Sequence, residues 1–164
     1  MKKNMKKLLS IASVSDIEGI RKLFIEVDEL HLKLLPFHFK SQKNGRRKAE
    51  VEDWIDKKDR LFLVCKSGKE IVGLLNARIS SAPTLPFIKK VKTMVIETLV
   101  VSKKERKRGI GNDLLSQAEA WAIQKKVQRL TLNVFVKNES ALEFYKNRHY
   151  QEVSVKMEKE IRKE

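Results

Sequence analysis

The sequence predicts a single α/β (α+β) domain, a mixed sheet flanked by helices. Three observations carry this. The chain has 164 residues, the length of one domain. Its hydrophobic period switches repeatedly between the helical and the extended value. No internal repeat, low-complexity run or linker interrupts it. A hydrophobic share of 41% supports a sizeable core and excludes wholesale disorder. The single cysteine, Cys65, excludes a disulfide-stapled scaffold and a cysteine-rich zinc site.

The elements follow in order. Residues 1–7 form a basic tail expected to be flexible, and Leu8 to Ala12 a short first strand. Its apolar part is broken by Ser10 and Ser13, and no signal-peptide cleavage pattern follows. A cytoplasmic location is therefore expected. Ser15 or Asp16 can cap a helix over 16–35, where Ile17, Ile20, Leu23, Phe24, Val27, Leu30 and Leu34 recur at helical spacing. Pro36 ends it. Residues 40–48 are polar and read as a loop, and 49–57 as a second, short helix. Leu61 to Lys66 and Ile71 to Ile79 alternate around Ser67-Gly68, a hairpin. Pro83 and Pro86 mark a loop. Residues 92–101 form a β-branched strand, 109–125 a helix, 130–136 a strand and 138–147 a short helix. Tyr150 to Ile161 closes as an extended, alternating strand. No stretch approaches the length needed to span a bilayer as a helix.

The net charge of +15 favours a polyanionic partner: nucleic acid, an anionic surface or a phosphate-rich ligand. The charge concentrates where a strand runs into a helix, at Leu99-Val100-Val101-Ser102-Lys103-Lys104-Glu105-Arg106-Lys107-Arg108-Gly109-Ile110-Gly111. Five of the six residues from Lys103 to Arg108 are basic. Glycines let the backbone approach a ligand closely. The first helical turn offers unpaired N–H groups at the positive end of the helix dipole. Such a turn is an anion site suited to phosphate. It is neither a dinucleotide fingerprint, since Leu114 stands in place of the third glycine, nor a Walker A loop. By itself it also fits an exposed basic helix start or a nucleic-acid patch.

A second segment, Asn138-Glu139-Ser140-Ala141-Leu142-Glu143-Phe144-Tyr145, follows the next strand. With it the chain resembles the GNAT superfamily of acyl-CoA-dependent N-acetyltransferases. That family's (Arg/Gln)-x-x-Gly-x-(Gly/Ala) loop is matched by Arg106, Gly109 and Gly111. Its Asn-x-x-Ala-x-x-Phe-Tyr pattern is matched by Asn138, Ala141, Phe144 and Tyr145. The element order agrees along nearly the whole chain. The resemblance implies one GNAT domain over 1–164 with a mostly antiparallel sheet. It also implies acetyl transfer from acetyl-CoA to a primary amine, small molecule or protein, by direct attack in a ternary complex, with no metal.

The resemblance further assigns roles. Leu99, Val100 and Val101 look like the strand whose backbone pairs with the pantetheine arm, one amide polarising the thioester carbonyl. Arg106, Lys107, Arg108, Gly109, Ile110 and Gly111 would hold the pyrophosphate. Asn138 would contact the cofactor arm. Tyr145 would protonate the leaving thiolate, as a phenol with pKa near 10 can at neutral pH. His149 stands where the family often has glycine, so a left-handed turn there would be mildly strained. Strand alternation puts Glu97 on the face of Leu99 and Val101, and Glu97 is the candidate general base. Asn133, where some relatives carry Glu, cannot serve. Alternatively, Glu97 only orients substrate or pairs with a surface cation.

Other residues carry weaker signals. His31 and His38 could contact the acceptor or be satisfied, partly buried groups. Cys65, Trp54 and Trp121 read as packing residues. Glu26, Asp28 and Glu29 could make the acceptor pocket acidic or face solvent. Two rival functions remain: a basic nucleic-acid- or ribosome-binding module, and a non-catalytic acyl-CoA-binding protein. The first lacks aromatic platforms and known DNA-binding patterns, so nucleic acid is disfavoured. A membrane partner is not expected, and a sheet edge near the C-terminus could pair in a homodimer.

Overall fold

The computed structural model describes residues 7–41, 46–80 and 87–161. The expected tail up to Lys6, the middle of the 40–48 loop and the Pro83/Pro86 loop lie outside the described residues. Lys7, which the sequence placed in the tail, already belongs to the first strand. The chain divides into two compact units, residues 1–133 and 134–164.

The first unit holds a five-stranded sheet in the order β1-β2-β3-β4-β5. Its strands are β1 (Lys7–Ile11), β2 (Arg60–Ser67), β3 (Glu70–Ser80), β4 (Thr93–Val101) and β5 (Arg129–Leu132). Neighbours are antiparallel except β4 and β5, which run parallel. Three helices belong to this unit: α1 (Ile17–Leu34), α2 (Lys48–Ile55) and α3 (Ile110–Gln124). The crossover through α3 makes the parallel pairing possible.

Each helix buries the apolar stripe its period provides. Ile17, Ile20, Leu23 and Phe24 of α1 and Val51 of α2 cluster with Phe62, Val64, Leu74 and Val100 from one face of the sheet. On the opposite face, Gly73 lies under α3: a Cβ there would stand 2.8 Å from Ile110 Cγ2 and 3.1 Å from Leu114 Cδ1. Phe24, Phe62, Leu74, Leu75 and Leu114 are fully buried, each contributing about 1.5–3 kcal/mol of transfer free energy.

The entry to α1 is held by a buried carboxylate. Asp16 accepts from Ser13 N–H at 3.0 Å and from Ser13 Oγ at 2.9 Å, and pairs with Lys66 Nζ at 2.7 Å. Burial alone would raise its pKa, but the Lys66 and Ser13 contacts more than offset this and hold it below the usual carboxylate value.

Two expected strands differ. The strand expected over 130–136 ends at Leu132, because its ladder with β4 runs only from Thr93 opposite Arg129 to Ile96 opposite Leu132. The strand expected over 150–161 does not form. Val153, Val155, Met157 and Ile161 are exposed, and no strand ladder to this segment occurs among the described residues, so the alternating pattern stays irregular chain. The second unit contains α4 (Glu139–Lys146) followed by this segment.

Candidate active site

The β4 strand is interrupted at its centre. Ala77 pairs with Ile96 and Asn76 with Thr98, so Glu97 has no partner of its own and forms a β-bulge. Residues directly opposite in an antiparallel pair share a face. The bulge therefore moves the side chains across the sheet: Ile96 lies on the α3 face with Ala77, and Thr98 on the α1 face with Asn76. Glu97 lies on the α1 face too, since it reaches Asn76, Arg60 and Arg78. Leu99, opposite Leu75, is on the other side. This corrects the expectation that Glu97, Leu99 and Val101 share a face. Simple alternation holds only in a strand without an extra residue.

The bulge also ends the ladder to β5. From Glu97 to Val101 the β5-side edge of β4 has no strand partner among the described residues. Main-chain groups on such an edge are available to an extended ligand.

Past Val101 the chain turns sharply. A short 3₁₀ turn spans Lys103–Glu105, and Ser102 N–H bonds the Val72 carbonyl at 2.9 Å. Arg106 Nε donates back to the Val101 carbonyl at 3.1 Å, and Arg108 pairs with Glu105 at 3.0 Å. Two residues take left-handed backbone, Lys107 at φ 60° and Gly109 at φ 82°. Gly109 is the N-cap of α3. The first bond of the helix runs from Asp113 N–H to the Gly109 carbonyl at 3.0 Å. The N–H groups of Ile110, Gly111 and Asn112 thus precede the helical ladder. A Cβ on Gly109 would meet nothing within 4 Å, so its glycine answers to the backbone angle and the space beside it is open. Arg106, Lys107 and Arg108 are exposed around it. This donor set fits a diphosphate in charge, in hydrogen-bond sense and in room.

On the α1 face lies a cavity of about 440 Å³, lined by Arg46, Trp54, Asn76, Arg78, Glu97 and Asn133 among others. Arg60 Nη1 donates to Asn76 Oδ1 at 2.9 Å and to Glu97 Oε2 at 2.5 Å, and Arg78 Nε donates to Glu97 Oε1 at 2.6 Å. Burial pushes the Glu97 pKa up, but the two guanidinium groups outweigh it and leave it below its ordinary value. The Arg46 guanidinium stacks 4.7 Å from the Phe24 ring centroid and 5.8 Å from that of Trp54.

Sequence reading marked Glu97 and Asn133 here but missed Arg46, Arg60, Asn76 and Arg78, and took Trp54 for packing alone. The available signal was the period-two spacing that puts Asn76 and Arg78 on the same face of one strand as Leu74. His31 packs against Phe39 with centroids 5.2 Å apart, and burial, aided by Arg46 against an opposing Asp28, lowers its pKa. Cys65 is buried, which raises its thiol pKa. No group of three or more His, Cys, Asp or Glu that could hold a metal occurs among the described residues. No helix there is long and apolar enough to cross a membrane.

In the second unit, Asn138 caps α4, its Oδ1 accepting from Ala141 N–H at 3.3 Å and Ser140 Oγ at 3.2 Å. Its side-chain NH₂ is not used in this cap. The Tyr145 ring packs edge-on against Phe144 and Tyr150, at 5.1 and 5.5 Å. Burial raises its phenol pKa to about 12. His149 adopts φ 63°, the left-handed turn expected there.

Residues 24–150 match the model of the acetyltransferase (GNAT) family. The chain belongs to that family. It is an acyltransferase by that membership. A tetramutant of the BH1408 protein from Bacillus halodurans has the same fold, with TM-score 0.89 and 22% identity over 94% of this chain and 99% of that one. An aminoglycoside N-acetyltransferase, AAC(6')-Iy, solved with CoA, superposes with TM-score 0.71 and 13% identity over 99% of each chain. An aminoglycoside acetyltransferase from an uncultured soil metagenomic sample, solved with trehalose, gives 0.68 and 14% over 95% and 97%. Within GNAT proteins acetyl-CoA is the acyl donor, and strands β2 to β5 and the Gly109 turn described above belong to the matched region.

Proposed function

We propose that this GNAT chain, acting as one domain over 1–164, transfers the acetyl group of acetyl-CoA to a primary amine by direct attack in a ternary complex. The observation that carries this reading is the edge of β4, without a strand partner among the described residues from Glu97 onward, leading straight into the Gly109 turn. Main-chain groups of Leu99, Val100 and Val101 pair with the pantetheine arm, and an amide at Leu99 or Val101 polarises the thioester carbonyl. Arg106, Lys107 and Arg108 with the amides of Gly109, Ile110 and Gly111 bind the diphosphate. The Asn138 NH₂ donates to the cofactor arm. Glu97, directly or through water, accepts the proton of the acceptor ammonium. The amine nitrogen then bonds to the acyl carbon, the carbon–sulfur bond breaks, and Tyr145 gives its proton to the thiolate. No metal takes part in this scheme.

Titration calorimetry with CoA, followed by a free-thiol assay of acetyl-CoA with a panel of amines, tests the reading. Binding that weakens with salt, and CoA release that depends on an amine, are expected. No heat with CoA would overturn it. Stabilisation by an oligonucleotide instead would favour a nucleic-acid module. Binding without turnover on any amine would favour an acyl-CoA-binding protein.

A further inference from the structure

Among the described residues, the lining of the cavity beside Glu97 is cationic rather than acidic. Its lining carries two guanidinium groups, Arg46 and Arg78, against one carboxylate, Glu97. That carboxylate is already engaged by Arg78 and by Arg60, whose side chain is only 10% exposed. Two cations thus hold one anion, and a third, Arg46, lines the same cavity. Arg46 is partly offset by Asp28, 3.6 Å away.

The other acids of α1 are committed elsewhere. Glu26 accepts from Ser102 Oγ at 3.3 Å and from Lys103 N–H at 3.0 Å, and Glu29 pairs with Lys103 at 3.7 Å.

Arg78 meets Glu97 through Nε, which leaves its terminal nitrogens without a hydrogen bond among the described residues. Those nitrogens form the flat edge that binds a carboxylate in bidentate fashion. The volume suits a small molecule. Resting on the acetyltransferase reading above, we infer that the acceptor is a small amine bearing its own carboxylate, of the amino-acid type. Arg78 and Arg46 take that carboxylate, and the amine nitrogen meets Glu97. A polycation such as an aminoglycoside meets net repulsion in the same space.

The test uses the full chain and acetyl-CoA with matched acceptors. Glutamate, leucine and phenylalanine are each compared with their carboxamides, per unprotonated amine, and spermidine and an aminoglycoside serve as polycations. One charge-assisted contact predicts a kcat/KM about 10- to 100-fold higher for the carboxylate member of at least one pair. Arg78→Gln and Arg46→Gln should collapse that ratio mainly through KM. Should either variant fold poorly, the wild-type ratios decide alone. Carboxamides or polycations equal to or better than the amino acids overturn the inference, as does CoA binding with no panel amine acetylated. Loss of CoA binding itself, read by calorimetry, removes the underlying acetyltransferase reading instead.

Discussion

Arg60 Nη1 and Glu97 Oε2, 37 residues apart in the chain, meet at 2.5 Å. The contact joins β2 to the bulge of β4 across β3, and Asn76 between them accepts from the same Arg60 nitrogen at 2.9 Å. A carboxylate held this way stays ionised at every ordinary working pH. Its charge is available to an incoming ammonium, but it is a weaker proton acceptor than a free glutamate. Arg60 in turn is nearly buried and depends on Glu97 for its counter-charge.

Glu97→Gln tests both consequences. Removing one partner of a pair between buried and exposed should cost about 1–2 kcal/mol, read as a fall in the urea midpoint. Since the folded pKa is depressed, the pair's stability is fully present above the unfolded value of 4.5 and is lost as pH falls below it through the folded value. The variant should lack this acid-side slope. Its kcat/KM should drop about 10²- to 10⁴-fold if Glu97 accepts the proton. An acidic limb measured above pH 5 in the wild type should belong to the acceptor amine, since Glu97 is held below its ordinary value.

Tyr145→Phe should lower turnover about 10²-fold or more while calorimetry with CoA shows unchanged affinity. The phenol, raised from 10.0 to about 12, stays a proton donor throughout the physiological range. The sign for stability follows from the same shift. Below pH 10 both states hold the proton. As pH rises from 10 towards 12 the unfolded phenol ionises first, so the folded chain loses stability in that window. Full activity in the phenylalanine variant would assign the proton to water.

Gly109→Ala isolates the backbone of the diphosphate turn. At φ 82° an alanine costs about 1–2 kcal/mol, although its Cβ would strike no protein atom. Thermal unfolding should register that modest loss. CoA affinity should fall more steeply than the stability cost implies, because the Cβ enters the space proposed for the diphosphate. Equal CoA affinity in the variant would move the binding site elsewhere.

Helix and strand spans were legible within a few residues because each depends on a local period and on local punctuation. Ile17, Ile20, Leu23 and Phe24 mark the buried stripe of α1 wherever it packs. Ser67-Gly68 turns the hairpin by its own backbone, with Gly68 at φ 61°. The errors fell where a partner decides. The strand expected over 130–136 stops at Leu132, where its ladder with β4 stops. Residues 150–161 alternate, yet no strand among the described residues pairs with them.

The same division runs through the site. The Gly109 turn could be read along the chain, because a glycine at positive φ and a helix start are properties of a few consecutive residues. The setting of Glu97 could not. Its face depends on one extra residue in the β3–β4 register, and its charge state on Arg60 and Arg78 from two other strands. Such contacts are set by how strands pair and not by what any one strand prefers, so only the folded chain brings three scattered residues, Arg60, Asn76 and Arg78, onto a single carboxylate, with two cations among them.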